Sequence, residues 1–453
     1  MKRVIDQYLL EWKNSEYRKS LLLRGARQVG KTFAIRQLGK TFENFIEINF
    51  ETDDRFKKLF ELNLDPVRII RDIELITLES ITPGKTLLFF DEIQTLPGAI
   101  TSLRYFYEKL PAQHIIGAGS LLDFRIRKEG MPVGRVVTLY VYPLSFFEFL
   151  CACGHVLLAR ELLPDTTGTR QPLSPMIHEH IVRLLGEYLA IGGMPEVVAR
   201  WQATKDPRLC FEVHRTLIDT YRQDFDKYAK KLQVKYLEQL FNAIPRQLGS
   251  KFKYHAIEGD YRKRELAPCL DLLSTAGIAH EVMRSAGNGI PLGAEVDLQD
   301  YKVIFLDVAL SQALLGLDLK AWFLESQHEF INKGALVEAF VGQELLAYAD
   351  PYWQSGLYYW RRTTNGSEAE IDYLVQEKAH VIPIEVKSGA GSTLQSMHLF
   401  LEKHPQSPYG VRFSTQEYSL HNKIYSYPLY AIVQFLLKNR PDDIEKYRAI
   451  TEK

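Results

Sequence analysis

The octet from Gly25 to Thr32, Gly-Ala-Arg-Gln-Val-Gly-Lys-Thr, constrains this chain more than any other stretch because it satisfies G-x-x-x-x-G-K-[ST]. It directly follows the apolar run Ser20-Leu-Leu-Leu-Arg24, and a helical pattern opens at Lys31. A strand that turns through glycines into a helix has a specific chemistry. Gly25 and Gly30 let the backbone bend so that the N–H groups along Ala26, Arg27, Gln28 and Val29 point inward at phosphate oxygens. Lys31 would then reach the β- and γ-phosphates of a nucleotide, and the Thr32 hydroxyl would ligate Mg²⁺. The start of the helix adds its positive dipole end.

Thr86-Leu-Leu-Phe-Phe90, apolar after its first residue, is a second run of strand length, and it delivers Asp91 and Glu92 at its carboxyl end. An acidic pair there could simply open a surface loop. Downstream of a phosphate loop it predicts hydrolysis: Asp91 would hold Mg²⁺, directly or through water, and Glu92 would orient or deprotonate the attacking water.

A chain of 453 residues is too long for one ordinary core and predicts about two to four domains. Lys+Arg and Asp+Glu both total 56, so any nucleic-acid-binding surface must be local. Cys151, Cys153, Cys210 and Cys269 lack zinc spacing and read as reduced thiols of a cytoplasmic protein. The opening residues Met-Lys-Arg-Val-Ile-Asp-Gln have no apolar signal region, and no run of about 18 apolar residues occurs, so no membrane span is expected.

Residues 1–153 alternate helical patterns with strand-like runs at 20–24, 44–50, 86–90, 113–118 and 136–141, which predicts a doubly wound parallel α/β sheet. The polar stretch 154–175 reads as a linker. Residues 176–230 are helical in pattern and broken at Gly192-Gly193-Met194-Pro195. Residues 231–290 read as helix, basic loop, helix and short strand, and 291–329 as a connector. The last region, 330–440, opens with a helix and continues with strands at 357–361, 369–375 and 380–387.

The segments Arg24 to Thr32, Phe89-Phe-Asp-Glu-Ile-Gln94, Gly117-Ala-Gly-Ser-Leu-Leu122 and Tyr142-Pro-Leu-Ser-Phe146 resemble a prokaryotic AAA-type ATPase family. Its members carry a C-terminal domain of unknown function related to archaeal ATPases. Tyr188 to Glu196, Phe305-Leu-Asp-Val308 and Asn332 to Glu338 resemble that second part, so the likeness spans nearly the whole chain. The resemblance implies ATP with Mg²⁺, Ser120 as a sensor of the γ-phosphate, and Asn49 as the side chain that holds Glu92 inactive until a partner binds. AAA-type enzymes usually take a catalytic arginine from a neighbouring subunit. A homo-oligomer is therefore expected, with Arg135 as the candidate and Arg125 and Arg127 as rivals.

Glu370-Ile-Asp372, followed by Pro383-Ile-Glu385-Val-Lys387, resembles the catalytic core of restriction-endonuclease-like nucleases. Such centres need two or three carboxylates converging on Mg²⁺ and a lysine near the attacked phosphate. Alternation places Glu385 and Lys387 on one face of a strand, with Ile384 and Val386 on the other. It likewise sets Asp372 against Ile371 and Tyr373. Glu338, on the preceding helix, would complete the metal set. A bare E-x-K is common by chance, as Glu11-Trp-Lys13 illustrates, and Pro383 conflicts with a central strand. The expectation is an endonuclease-like fold, of which nuclease activity is the narrower reading because such folds also serve as scaffolds.

Residues 246–264 carry six Lys/Arg against two acids, interleaved with Phe252, Tyr254 and Tyr261. With the helix face Leu266, Leu270 and Leu273 and the turn from Thr275 to Val282, this stretch looks like a winged helix. Its cations would contact DNA phosphates and its helix the major groove. The sequence thus predicts a multidomain α/β protein: an AAA-type P-loop NTPase sheet, a helical and winged-helix middle and a restriction-endonuclease-like C-terminal domain. Its nucleotide state would control a DNA-interacting C-terminal half. The alternatives are an ATP-gated, Mg²⁺-dependent nuclease and a signalling or protein-remodelling switch that binds no DNA.

Overall fold

Strands that are apolar at every position need cover on both faces, and Leu21 to Leu23 and Leu87 to Phe90 are buried throughout. In the computed structural model, which describes residues 1–129, 134–165, 173–317, 333–364, 367–388 and 394–452, these runs lie inside a parallel sheet. The chain divides into two compact units, one of Lys2–Tyr142 with Asp350–Gln354, the other of Pro143–Ala349 with Ser355–Lys453.

The first unit comprises α1 (Val4–Asn14), β1 (Ser20–Arg24), α2 (Lys31–Gly39), β2 (Asn44–Asn49), α3 (Leu59–Leu62), α4 (Pro66–Thr77), β3 (Thr86–Asp91), α5 (Pro97–Lys109), β4 (His114–Ala118), α6 (Leu122–Glu129) and β5 (Val136–Tyr140). Its five strands run parallel in the order β2-β3-β4-β1-β5. Because β4 sits between β1 and β3, the loops after these three strands open side by side on one edge of the sheet. Beneath them Phe50, Phe60, Phe90 and Phe106 meet edge to face. Each buried ring contributes about 1.5–3 kcal/mol.

The second unit begins where Ser145 and Glu148 form a capping box and start a new helix directly after the Tyr142–Pro143 boundary, earlier than the expected limit at residue 153. It comprises α7 (Phe146–Ala152), α8 (Val156–Glu161), α9 (Pro175–Ile191), α10 (Pro195–Thr204), α11 (Pro207–Tyr228), α12 (Lys231–Ala243), α13 (Lys263–Thr275), β6 (Ala279–Ser285), β7 (Val296–Phe305), α14 (Val308–Leu314), α15 (Gly334–Ala347) and β8 (Leu357–Thr364). There follow β9 (Ser367–Glu377), β10 (His380–Val386), α16 (Gln395–Lys403), β11 (Gly410–Ser414), β12 (Ser419–His421), β13 (Ile424–Pro428), α17 (Ile432–Leu437) and α18 (Pro441–Ile450). The expected linker holds α8, and its residues 166–172 lie outside the described ones.

One eight-stranded sheet, ordered β12-β13-β11-β10-β9-β8-β6-β7, runs through this unit. The boundaries expected at 290 and 329 therefore divide a single sheet: β6 pairs with β8 at Val282 and Leu357, and β7 lies in the expected connector. The apolar end of β7, Val303 to Phe305, is buried and could not have been left in an exposed connector. Pro383 is accommodated because parallel pairing of β10 with β11 begins only at Ile384.

Candidate functional site

The loop after β1 is shaped by its neighbours. Gly25 has φ +140, and a Cβ there would stand 2.1 Å from the carbonyl oxygen of Val141, the residue that follows β5. Gly30 caps α2 in the left-handed conformation. Arg3, just before α1, is buried and donates to the carbonyls of Val29 (2.8 Å) and Tyr142 (3.0 Å), tying the loop to the end of β5. Nothing in the sequence singles out this arginine. Ala26 and Val29 are buried, Arg27 is half-buried and Gln28 is exposed with φ 65.

Lys31 is buried, and its Nζ donates to the carbonyls of Gly25 (2.9 Å) and Ala26 (2.7 Å). Burial draws its pKa down to about 8 against the pull of Glu92 and Asp91. The Thr32 hydroxyl stands 3.5 Å from an Asp91 oxygen. Burial, then the nearby Glu92, pushes the Asp91 carboxyl up to about 6. A buried carboxylate with so little compensating charge, beside a hydroxyl and a helix start, fits a divalent cation. Thr32 and Asp91 would hold Mg²⁺, which neutralises phosphate charge when bound.

The acidic pair is divided between two partners. Asn49 ends β2 in register with Asp91, and its amide donates to Asp91 at 3.3 Å. The Asn49 contact is therefore with Asp91 and not with Glu92, because Glu92 leaves the strand in a left-handed turn (φ 51, ψ 40). The partner of Glu92 is Gln94, whose Nε2 donates to the carboxylate at 2.5 Å. Gln94 is 8% exposed, and its Oε1 is buried against Gly119, where a Cβ would come within 1.7 Å. Ser120 is buried just after β4, the strand that lies between β1, which leads into the phosphate loop, and β3, which carries the acidic pair. Arg135 immediately precedes β5, at the end of the sheet opposite the phosphate loop, and pairs with Glu108 at 3.1 Å. The side chains of Arg125 and Arg127 lie outside what the structure describes.

In the second unit Glu338 on α15 and Asp372 on β9 come together, but around a cation the sequence did not suggest, and Glu385 at the end of β10 stands near Asp372 without reaching that cation. Lys302 of β7, 2% exposed, reaches Glu338 (2.7 Å), Glu370 (2.5 Å) and Asp372 (4.0 Å). Asp372 also accepts from the Val386 amide at 2.7 Å, and Lys387 meets Glu385 at 2.5 Å. The expected alternation fails at Asp372: the β8–β9 register shifts between Tyr358 and Trp360, and Tyr373 turns to α15 to donate to the Glu338 carbonyl. Among the described residues no group of three or more His, Cys, Asp or Glu is arranged to hold a metal.

The basic stretch is partly neutralised. Lys251 pairs with Asp300 at 3.0 Å, while Lys253, Arg262, Lys263 and Arg264 are exposed. The interleaved aromatics are committed inward: Phe252 stacks on Tyr301, Tyr254 bonds Tyr301 and Tyr261 meets Tyr236.

Residues 17–150 match the family described as AAA domain, residues 182–321 the Domain of unknown function (DUF8612) and residues 333–432 the Domain of unknown function (DUF4143). No curated protein matches the chain. Solved structures similar to it include C. elegans PCH-2 (12% identity, 45% of this chain and 62% of that one, TM-score 0.26). The Aeropyrum pernix ORC1 protein in complex with DNA is similar at 15% identity over 71% of this chain and 92% of that one, TM-score 0.25. Drosophila ORC bound to DNA is similar at 13% identity over 69% and 85%, TM-score 0.26. The chain spans less than two thirds of the PCH-2 chain. It carries an AAA-type P-loop domain followed by two domains of unknown function. Among the described residues no helix is long and apolar enough to cross a membrane.

Proposed function

We propose that this protein hydrolyses ATP in its first unit and that the nucleotide state controls a DNA-contacting C-terminal half. The observation that carries the first part is the meeting of Lys31, Thr32 and Asp91 on one sheet edge, with Glu92 next in the chain. Lys31 exchanges its loop carbonyls for phosphate oxygens. Glu92 accepts a proton from water as the water oxygen bonds to the γ-phosphorus, and the bond to the β-phosphate oxygen breaks to release ADP. Ser120 orients the γ-phosphate or the water. Arg135 faces away from its own phosphate loop, so it would serve the site of a neighbouring copy in a homo-oligomer. Lys31→Ala tests the assignment: ATP turnover by that variant at the normal rate would remove it.

The second part is supported by element order. Helix α12, the bridge of Lys251 to Lys302, a 3₁₀ turn at Tyr254–Ala256, α13 and the β6–β7 hairpin follow the sequence of a winged helix, and four exposed cations precede or open α13. Salt-dependent binding to duplex DNA tests this. Absence of any binding at low salt would favour the signalling or remodelling switch. The order α15-β8-β9-β10-α16-β11, with β11 parallel to β10, supports an endonuclease-like scaffold. Four free thiols suit a reducing compartment such as the cytoplasm.

A further inference from the structure

We propose that Lys302 is a built-in cation that takes the place of a divalent metal among Glu338, Glu370 and Asp372, so that this cluster is closed to metal ions as long as Lys302 is present. The proposal is independent of the ATPase reading. It rests on position first. The ammonium touches Glu338 and Glu370 at 2.7 and 2.5 Å and stands 4.0 Å from Asp372, between carboxylates contributed by α15 and β9. A Mg²⁺ ion needs oxygens at about 2.0–2.1 Å. It could not share the same oxygens with an ammonium this close without steric overlap and like-charge repulsion.

Lys302 is also built in from outside. It comes from β7, beyond the α15-to-β11 core that supplies the acids, and it enters the sheet through the β6–β8 pairing. The family matches separate it in the same way: residue 302 lies in the segment 182–321 and the acids in 333–432. The Tyr359 ring lies 5.0 Å from the ammonium and closes another side. Burial alone would lower the Lys302 pKa, but Glu338, Asp372 and Glu370 outweigh it and push it up, so the ammonium is permanent. Burial, and then the neighbouring Asp372, pushes the Glu338 and Glu385 carboxyls up, as expected of acids crowded into one buried cluster.

The test uses Mn²⁺ alone as probe on the full, nucleotide-free chain, with binding followed by electron paramagnetic resonance. Wild type and Asp372→Asn should bind Mn²⁺ alike, because the cluster contributes no site. Lys302→Met should gain one site at least tenfold tighter than any background site, and the double variant Lys302→Met/Asp372→Asn should lose it. Lys302→Arg, which keeps the charge, should behave as wild type. Mn²⁺ bound by wild type and lost in Asp372→Asn would overturn the proposal, as would a folded Lys302→Met with no new site. Should Lys302→Met fail to fold, the comparison of wild type with Asp372→Asn decides by itself.

Discussion

Gln94 donates its side-chain amide to the Glu92 carboxylate at 2.5 Å, within a loop where Glu92 itself is left-handed. A carboxylate engaged by a donor is less free to turn toward water. Gln94→Leu removes the donor at nearly constant size. Steady-state ATP turnover should rise about tenfold, equivalent to ~1.4 kcal/mol in the barrier, with nucleotide affinity unchanged. A fall in turnover would show that Gln94 aims Glu92 instead of restraining it.

Asn49 serves the other carboxylate, at 3.3 Å from Asp91. Its Oδ1 also accepts from the amides of Glu51 and Thr52, so the side chain is fixed. Asn49→Ala should raise the Mg²⁺ concentration that turnover requires by roughly 3–10-fold, about 1 kcal/mol, the usual worth of one hydrogen bond. Turnover at saturating Mg²⁺ should be retained. A metal titration of activity separates this outcome from the Gln94 effect.

Glu344 on α15 is 1% exposed and accepts from the Phe146 amide at 3.0 Å. Burial pushes its carboxyl from 4.5 up to about 8. The folded state therefore binds a proton that the unfolded chain releases near 4.5. The associated stability is full below that pH and is lost as pH rises through about 8. Thermal melts should show Tm falling between pH 5 and 8.5, and Glu344→Gln should flatten the fall by roughly 5 °C. Glu338 and Glu385 shift the same way, so part of the slope should survive the substitution.

Among the cations proposed to meet DNA, Lys251 is held by Asp300 at 3.0 Å, whereas Arg262, Lys263 and Arg264 are exposed. Fluorescence anisotropy with duplex DNA should show the triple change Arg262→Ala, Lys263→Ala and Arg264→Ala weakening binding and reducing the salt slope by about 0.9 for each phosphate no longer neutralised. Lys251→Ala should leave the slope unchanged. Equal slopes for all variants would move the DNA-binding surface elsewhere or remove it.

The parts legible in the sequence were those with local signals. β1 and β3 announce themselves as wholly apolar runs, and Lys31, Thr32 and Asp91 follow from motif spacing. The Gln94 contact escaped because it depends on the left-handed turn at Glu92, which no residue pattern announces. Lys302 escaped because a single charge before the apolar Val303 to Phe305 looks like an ordinary strand position, and its partners lie on separate elements far along the chain. The joining of β6 to β8 is a non-local pairing, and the register shift at Asp372 breaks the alternation on which the expected face assignment relied.

An ATPase in the first unit with Glu92 as its base is tested most directly by single-turnover hydrolysis of Mg²⁺–ATP by Glu92→Gln beside wild type. Equilibrium binding of a fluorescent nucleotide would be measured on the same samples. Unchanged nucleotide affinity with turnover reduced about 10²–10⁴-fold is the predicted result. Hydrolysis at the wild-type rate by Glu92→Gln, or no hydrolysis by wild type in any Mg²⁺ concentration, would contradict it.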